Sequence, residues 1–218
     1  MAKRLSIDPQ RAACRDLAPA ARTLLDGGVV AGPTGTFYGL MSLVDNAAGL
    51  ERIAGLKGEK ERQGKTFLIL LDQEARVHCY AREVPPEAGR LMAAFWPGPL
   101  TLLFMAQGGL CPGLVGPART VGLRVEELPA IRLLVRMADR GLTGTSANPA
   151  GAPPAETADQ VEDYFGKTID LIIDGGPTPG GQPSTIIDVS PGGPRVLREG
   201  ALPMADLARV CPALGGDG

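Results

Sequence analysis

The sequence contains a single histidine, His78, and four cysteines that lie far apart in the chain. Zinc sites and disulfide frameworks need closely spaced or paired ligands of these types, so we expect neither. Aromatic residues make up only 4% of the chain, and the longest apolar runs, such as 67–71, are too short to cross a bilayer. The first residues also lack the apolar core of a signal peptide. Together these absences predict a cytoplasmic protein that does not enter a membrane.

The chain also has little net charge, because its basic and acidic residues nearly balance. The chain has 22 basic and 24 acidic residues, for a formal net charge of -2. Such a weak field does not attract a nucleic-acid backbone or an anionic membrane over long range. Any site for an anion must therefore be built locally, from a few side chains and backbone groups.

Glycine and proline, by contrast, are abundant, with 30 and 20 residues respectively in a chain of 218. A surplus of this kind can mark disorder, but disordered chains are also polar and strongly charged. Here 44% of the residues are hydrophobic. The chain should therefore fold, and its length is suited to one domain with a sizeable core.

Helical and strand patterns alternate from one end of the chain to the other. The predicted helices cover about 9–25, 47–56, 85–95 and 129–140, with a further helix capped near Thr157. The predicted strands are 29–32, 66–71, 100–105, 121–125, 142–145, 171–173, 185–189 and 195–197. Because no repeat or linker interrupts this order, the sequence predicts one α/β domain over residues 1–218 with a mixed sheet.

Many of the glycines and prolines lie in four loops at strand ends that also carry small hydroxyl, amide or basic side chains. These loops are 33–39, 144–148, 175–185 and 197–200. Glycine lets the backbone approach a ligand and expose its N–H groups, and Ser and Thr add short donors, which together favour phosphate or carboxylate binding. The alternative for any one loop is that the same residues only form a turn. Four such loops in one α/β domain favour a ligand crevice.

The usual signatures of nucleotide binding and covalent catalysis are absent. The chain has no GxxxxGK[ST], no GxGxxG after a strand and no GxSxG, and His78 lies outside the hydroxyl-rich loops. A site of hydroxyls, amides and cations is better suited to orienting groups and neutralising charge than to nucleophilic attack by the protein. That chemistry is typical of phosphoryl or nucleotidyl transfer, in which Mg²⁺ shares the negative charge.

Six short motifs then occur in a fixed order. They are GVVAGPTGTFYGL at 28–40, RIAGLKG at 52–58, WPGPLT at 96–101, VGLRV at 121–125, TSAN at 145–148, and PSTIID at 183–188 together with LREG at 197–200. In sequence and order they resemble the YrdC/Sua5 family of threonylcarbamoyl-AMP synthases, over about residues 24–201. Any one motif is weak, whereas six in order are specific.

The resemblance implies a twisted open α/β sheet with flanking helices and a central concave cavity. It also implies that ATP, L-threonine and bicarbonate react to give L-threonylcarbamoyladenylate and pyrophosphate, for the threonylcarbamoyladenosine modification of tRNA. Mg²⁺ would be held by ATP and not by a protein metal site, and tRNA and the threonylcarbamoyl-transferase complex are further candidate partners. Residues 1–8 and 211–218 are expected to be flexible, and the chain resembles the short, single-domain form of the family.

The resemblance also assigns roles to individual residues. Those expected near L-threonine are Thr34, Thr36, Tyr38, Arg124 and Ser184. Those expected near ATP are Lys57, Lys60, Arg62, Thr145, Ser146, Asn148 and Arg198. Of the second group, the cations Lys57, Arg62 and Arg198 are the expected catalytic residues, because they would neutralise charge on the phosphates.

The chain departs from the family pattern at two positions. The family loop usually reads PT[DE]T, whereas Gly35 supplies no acid, so any role of that carboxylate is lost or moved. The family's Lys-x-Arg is replaced at its arginine by Glu59, and Lys60 or Arg62 is expected to substitute. These departures keep two alternatives open, a paralogue with a different carbamoyl or acyl substrate and a non-catalytic module that binds RNA or a nucleotide.

The sequence also supports expectations for two single residues, His78 and Trp96. His78 is expected to be an exposed loop or helix residue, with a place near threonine as the alternative. Trp96 is expected to be a packing anchor, because its Pro-Gly-Pro neighbours indicate a fixed turn.

Overall fold

A computed structural model describes residues 1–58 and 66–215. The helices of these residues are α1 (Cys14–Leu25), α2 (Ala47–Lys57), α3 (Pro86–Phe95), α4 (Pro129–Ala138), α5 (Ala158–Phe165) and α6 (Met204–Val210). The strands are β1 (Lys3–Ser6), β2 (Val30–Pro33), β3 (Tyr38–Met41), β4 (Leu68–Leu71), β5 (Leu100–Met105), β6 (Thr120–Val125), β7 (Leu142–Ser146), β8 (Leu171–Asp174), β9 (Thr185–Asp188) and β10 (Arg195–Arg198). Short 3₁₀ turns cover Glu74–Cys79, Pro112–Leu114 and Pro212–Leu214.

The strands form one mixed sheet in the order β1-β8-β2-β3-β7-β4-β6-β5-β9-β10. Parallel pairing joins β1 to β8, β2 to β8, β4 to β6 and β5 to β9, and the other neighbours are antiparallel. The predicted single α/β domain with a mixed sheet and flanking helices is therefore confirmed.

Strand β2 shows why the centre of the sheet needs helices on both faces. Successive side chains of a strand point to opposite faces. Val29 and Ala31 join one buried cluster with Ile53 of α2, while Val30 joins another with Leu17 of α1. A short run of consecutive apolar residues is therefore covered on both sides, as expected for a buried strand.

Helix α1 begins later than its sequence pattern predicts. The prediction placed its start at Pro9, but residues 9–11 form a turn and the helix begins at Cys14. The Asp8 carboxylate accepts from the N–H of Gln10 within that turn, and the Asp16 carboxylate accepts from the N–H of Ala13 at the true helix start. A polar cap therefore exists at both places, and the pattern alone does not distinguish them.

Helix α4 ends earlier than predicted. It stops at Ala138, and not at Arg140, because Asp139 adopts a left-handed conformation with φ 54°. The remaining predicted helices and strands are confirmed to within two residues at each end.

The N-terminus differs from the prediction that residues 1–8 are flexible. Residues 3–6 form β1, which pairs in parallel with β8, and Arg4 contacts the Asp174 carboxylate at 2.9 Å. At the other end, α6 and the turn after it were not predicted, and Cys211 is fully buried. Residues 216–218 lie outside the described part of the chain.

None of the described helices has the length and apolar character needed to cross a membrane.

Candidate functional site

A tight hairpin loop between β2 and β3 carries the first group of predicted site residues. Strand pairing of Pro33 with Tyr38 closes the loop, and the Thr34 hydroxyl donates to the carbonyl oxygen of Phe37 at 2.7 Å. The hydroxyl oxygens of Thr34 and Thr36 lie 3.4 Å apart, and both residues are buried. The hairpin therefore holds two hydroxyls side by side in a fixed geometry.

A buried carboxylate connects this hairpin to the end of β6. Glu126 is fully buried, and its Oε1 accepts from the N–H of Gly35 at 2.8 Å and from the N–H of Glu127 at 2.9 Å. Its Oε2 accepts from the guanidinium of Arg124. Because a buried charge is stable only when it is paired and hydrogen-bonded, Glu126 fixes both the strand arginine and the hairpin.

Arg124 lies close to a second cation, Arg198 of β10. Burial lowers the pKa of the Arg198 guanidinium, and repulsion from Arg124 lowers it further. Arg198 donates to the carbonyl oxygen of Ser184 at 2.8 Å, and within residues 1–58 and 66–215 it forms no ion pair. Glu126 is the carboxylate that pairs with Arg124, so among the described residues Arg198 is the one of these three charged side chains that is left without an ion-pair partner. The arrangement favours an anion.

Ser184 completes this part of the site at the start of β9. It is buried, and its hydroxyl shares a hydrogen bond of 2.9 Å with Thr101 and lies 3.3 Å from Arg198. Parallel pairing of β5 with β9 sets these neighbours next to each other. Two hydroxyls and a guanidinium therefore converge from three different strands.

A cavity of about 600 Å³ opens beside these groups. Its walls include the hairpin residues Gly35 and Thr36, Gly180 and Gln182 of the loop before β9, and Gly200 after β10. This volume lies within the usual range for small-molecule sites. The predicted loops 33–39, 175–185 and 197–200 thus line one cavity.

The fourth predicted loop, 144–148, lies on the other side of the hairpin and is held by Lys57. Pairing of β3 with β7 places Gly39 opposite Ser146. The Lys57 ammonium donates to the carbonyl oxygens of Ser146 and Asn148, both at 2.9 Å, and to Asn148 Oδ1 at 2.8 Å. Lys57 is buried in the last turn of α2, where a cation is favoured by the helix dipole.

The side-chain amide of Asn148 both accepts and donates hydrogen bonds. Its Oδ1 accepts from the Ser146 hydroxyl at 2.6 Å, and its Nδ2 donates to the carbonyl oxygen of Ala152 at 2.8 Å. Thr145 precedes this network on β7, opposite Leu40 of β3. The structure therefore brings Lys57, Thr145, Ser146 and Asn148 together, as the sequence predicts.

Tyr38 occupies a different place from the other predicted threonine-side residues. It is fully buried, its hydroxyl donates to the carbonyl oxygen of Gly176 at 2.7 Å, and the N–H of Gly175 lies 3.3 Å from the same oxygen. Burial raises the pKa of Tyr38 to about 12, so the phenol stays protonated. Tyr38 anchors the loop after β8, and its contact with threonine stays a prediction.

The altered lysine loop falls outside the part of the chain that the structure describes. Glu59, Lys60 and Arg62 all lie within residues 59–65. The expectation that Lys60 or Arg62 substitutes for the family's arginine therefore stays a prediction.

The two other residues singled out in the sequence are placed. His78 is exposed in the 3₁₀ turn Glu74–Cys79. Trp96 is buried, and its indole N–H donates to the carbonyl oxygen of Leu100 at 2.7 Å, which confirms its expected packing role.

Sequence reasoning missed the two consecutive acids Glu126 and Glu127 that follow the strand arginine. Glu126 holds the hairpin, and Glu127 is an exposed residue whose carboxylate approaches Gly35. The signal was present, since two carboxylates directly after a buried strand that carries an arginine predict a charged pair at the sheet edge. The VGLRV motif itself ends at Val125, one residue before them.

Among the described residues, no group of three or more His, Cys, Asp or Glu side chains is arranged to hold a metal ion. The site offers hydroxyls, backbone N–H groups and cations instead. Such a donor set binds and orients anions, and it suits a metal ion that arrives with a phosphate ligand.

Known proteins are similar to this chain in sequence and in fold. The family model for Sua5, YciO and YrdC proteins, described as "Telomere recombination", matches residues 22–200. A threonylcarbamoyl-AMP synthase of Nitrosococcus oceani is 36% identical over 156 residues, which cover 72% of this chain and 83% of that protein. A threonylcarbamoyl-AMP synthase of Pyrococcus abyssi is 34% identical over 192 residues, which cover 88% of this chain and 56% of that protein. The chain thus spans little more than half the length of the Pyrococcus abyssi protein.

A solved structure extends the similarity to the fold. Pyrococcus abyssi Sua5 complexed with L-threonine superposes with a TM-score of 0.89 at 30% sequence identity, covering 98% of this chain and 62% of that one.

Proposed function

The chain belongs to the Sua5/YciO/YrdC family, and from that membership we propose that it makes L-threonylcarbamoyladenylate from ATP, L-threonine and bicarbonate, with release of pyrophosphate. The reaction is a nucleotidyl transfer. Its product would supply the transferase complex that forms threonylcarbamoyladenosine in tRNA, in the cytoplasm.

The observation that carries the proposal is the convergence of Arg124, Arg198 and Ser184 beside the cavity with the hydroxyl hairpin. The guanidinium of Arg198, which forms no ion pair within the described residues, suits the carboxylate of an amino acid. Thr34 and Thr36 would add hydroxyl contacts, and Thr36 itself lines the cavity. We assign this end of the site to L-threonine.

We assign the Lys57 network to ATP. The buried ammonium fixes the polar groups of Ser146 and Asn148, and Thr145 precedes them on β7, so little reorganisation is needed when a nucleotide binds. Arg198, whose guanidinium forms no ion pair among the described residues, would face the phosphates from the threonine side. Lys60 and Arg62 are further candidates for phosphate contact.

The chemistry then needs positioning and no protein nucleophile. The threonine amino group and bicarbonate form a carbamate with loss of water. An oxygen of the carbamate then attacks the α-phosphorus of ATP, the bond from that phosphorus to the bridging oxygen breaks, and the electron pair leaves with pyrophosphate. Mg²⁺ bound through the phosphate oxygens would neutralise charge on the triphosphate. The residues of this chain would orient the two anions toward each other, which is the largest part of such catalysis.

The direct test is pyrophosphate release from ATP, measured with both co-substrates and with each omitted. We expect release only when L-threonine and bicarbonate are both present. Release that does not depend on threonine would favour a paralogue with another carbamoyl or acyl substrate, for which Gly35 and Glu59 are the motivating differences. Retention of RNA with no adenylate formed would favour a binding module.

A further inference from the structure

The exposed carboxylate of Glu127 occupies the space beside Gly35 that a side chain at position 35 would otherwise fill. A Cβ atom added at Gly35 would lie 2.5 Å from Glu127 Oε2 and 3.1 Å from Glu127 Cβ. Real Cβ atoms do not come within 3.0 Å of another atom, so a side chain at position 35 would require the Glu127 carboxylate to move from this place. Glycine at 35 and glutamate at 127 are therefore structurally complementary.

The backbone on both sides of this contact is fixed. The N–H groups of Gly35 and Glu127 both donate to the same carboxylate oxygen of Glu126, at 2.8 and 2.9 Å. The carbonyl oxygen of Glu127 accepts from the guanidinium of Arg132 at 2.6 Å. Glu127 is thus presented to the hairpin by a rigid support, as a binding residue must be.

An amino acid bound at this end of the cavity would need one charged partner for its carboxylate and another for its ammonium group. Glu126 is fully engaged by Arg124 and by backbone N–H groups, and Arg124 and Arg198 suit the carboxylate of an amino acid. An amino acid also carries an ammonium group, which needs an acceptor with negative charge. Glu127 supplies a carboxylate for which the described residues provide no hydrogen-bond donor. It lies next to Gly35, and Gly35 lines the cavity.

We propose that Glu127 binds the α-amino group of the amino-acid substrate, and that it takes over the position that an acidic side chain at residue 35 would have. The inference rests on the proposed function, because it assumes that an amino acid occupies the cavity. It makes Glu127 a specificity-determining residue of the amino-acid end and gives it no part in phosphate binding.

The test compares steady-state kinetics of the whole chain with those of Glu127→Gln, which keeps the shape and removes the charge. We expect the KM for L-threonine to rise by at least about tenfold, the scale of one lost charge-assisted hydrogen bond, while the KM for ATP stays within about twofold. Glu74→Gln removes an exposed carboxylate elsewhere and should leave both values unchanged. An unchanged KM for threonine in Glu127→Gln would overturn the inference while leaving the proposed function standing.

A relocation experiment sharpens the test. Gly35→Asp alone should impair threonine binding, because the new carboxylate meets Glu127, whereas Gly35→Asp combined with Glu127→Ala should lower the KM for threonine below that of Glu127→Ala alone. Failure of the double variant to recover would count against an exchange of the two positions. If the unsubstituted protein shows no threonine-dependent turnover, the proposed function fails, and this inference fails with it.

Discussion

The ammonium of Lys57 lies 2.8 Å from Asn148 Oδ1 and 2.9 Å from the Asn148 carbonyl oxygen, which joins the last turn of α2 to the loop after β7. A helix end and a strand end that are far apart in sequence are thereby held in one geometry. The same side chain positions Ser146, so a single buried cation organises the part of the site that we assign to ATP.

Substitution of this cation should affect stability and activity together. Lys57→Met keeps the apolar stem and leaves several acceptors of the loop without their donor, so we expect a loss of about 2–3 kcal/mol in unfolding free energy. Adenylate formation should fall by at least about tenfold, because the loop loses its support. Urea unfolding and pyrophosphate release measure the two effects. Lys167→Met, at an exposed lysine, is the control, and full activity in Lys57→Met would contradict the assigned role.

Removal of the Arg198 guanidinium, which forms no ion pair within the described part of the chain, should affect activity far more than folding. Arg198→Ala and Ser184→Ala each take away a polar group at the junction of the two substrate ends, and we expect adenylate synthesis to fall by at least about tenfold in Arg198→Ala. Both variants should remain folded by circular dichroism. Arg209→Ala removes an exposed arginine near the C-terminal end of α6 that does not line the cavity, and it should remain active. Wild-type rates in both site variants would refute this placement of the substrates.

Gly200 should tolerate no side chain. A Cβ atom there would lie 2.2 Å from the carbonyl oxygen of Pro183 and 2.6 Å from the carbonyl carbon of Ser184, and both are backbone atoms that cannot move aside easily. Gly200→Ala should lower the unfolding free energy by about 1–3 kcal/mol, as expected for overpacking. It should also weaken threonine binding, since Ser184 must shift. Gly108→Ala, where the added atom meets nothing within 4 Å, is the matched control; equal stability of the two variants would contradict the tight contact.

Stability should depend on the ionisation of Asp188 at the end of β9. Burial opposes the charged form, but hydrogen bonds from Ser190 and Arg195 outweigh it, so the pKa of the folded carboxyl lies below its usual value. A group with a lowered folded pKa stabilises the protein above its unfolded pKa and loses that contribution as the pH falls through the folded pKa.

Asp188→Asn should therefore be less stable than the parent by about 1 kcal/mol near neutral pH. The difference should shrink as the pH falls below about 4, the ordinary value for an aspartate. Urea unfolding of Asp188→Asn and of the parent, near neutral pH and below a pH of about 4, is the measurement. A difference that is equal at both would show that the charge of Asp188 is not involved.

The sequence predicted most of the fold because apolar periodicity and turn residues are local signals. Strand β5 has the predicted bounds, and the helix capped by Thr157 begins at the next residue. Within the described residues, the missed strand β1 pairs with one strand, β8, and three of its four residues are exposed, so it lacks the apolar run that marks a strand. The sequence pattern does not predict strand β3, because glycine and tyrosine next to a turn resemble the turn itself.

The candidate site was predictable where side chains converge within named motifs, as for Lys57 with Asn148. It was not predictable where two departures compensate each other in space. Gly35 reads as the loss of an acid when the hairpin is considered alone, and Glu127 reads as a solvated charge when β6 is considered alone. Only the packed structure shows that a side chain at position 35 would require the Glu127 carboxylate to move.

The most direct measurement is the identity of the product. The protein would be incubated with ATP, L-threonine and isotopically labelled bicarbonate, and the adenylate would be analysed by mass spectrometry. The account predicts an adenylate that contains threonine and carries the label in its carbamoyl carbon, with pyrophosphate formed in equal amount. An adenylate without threonine or without the label, or no adenylate at all, would contradict the account.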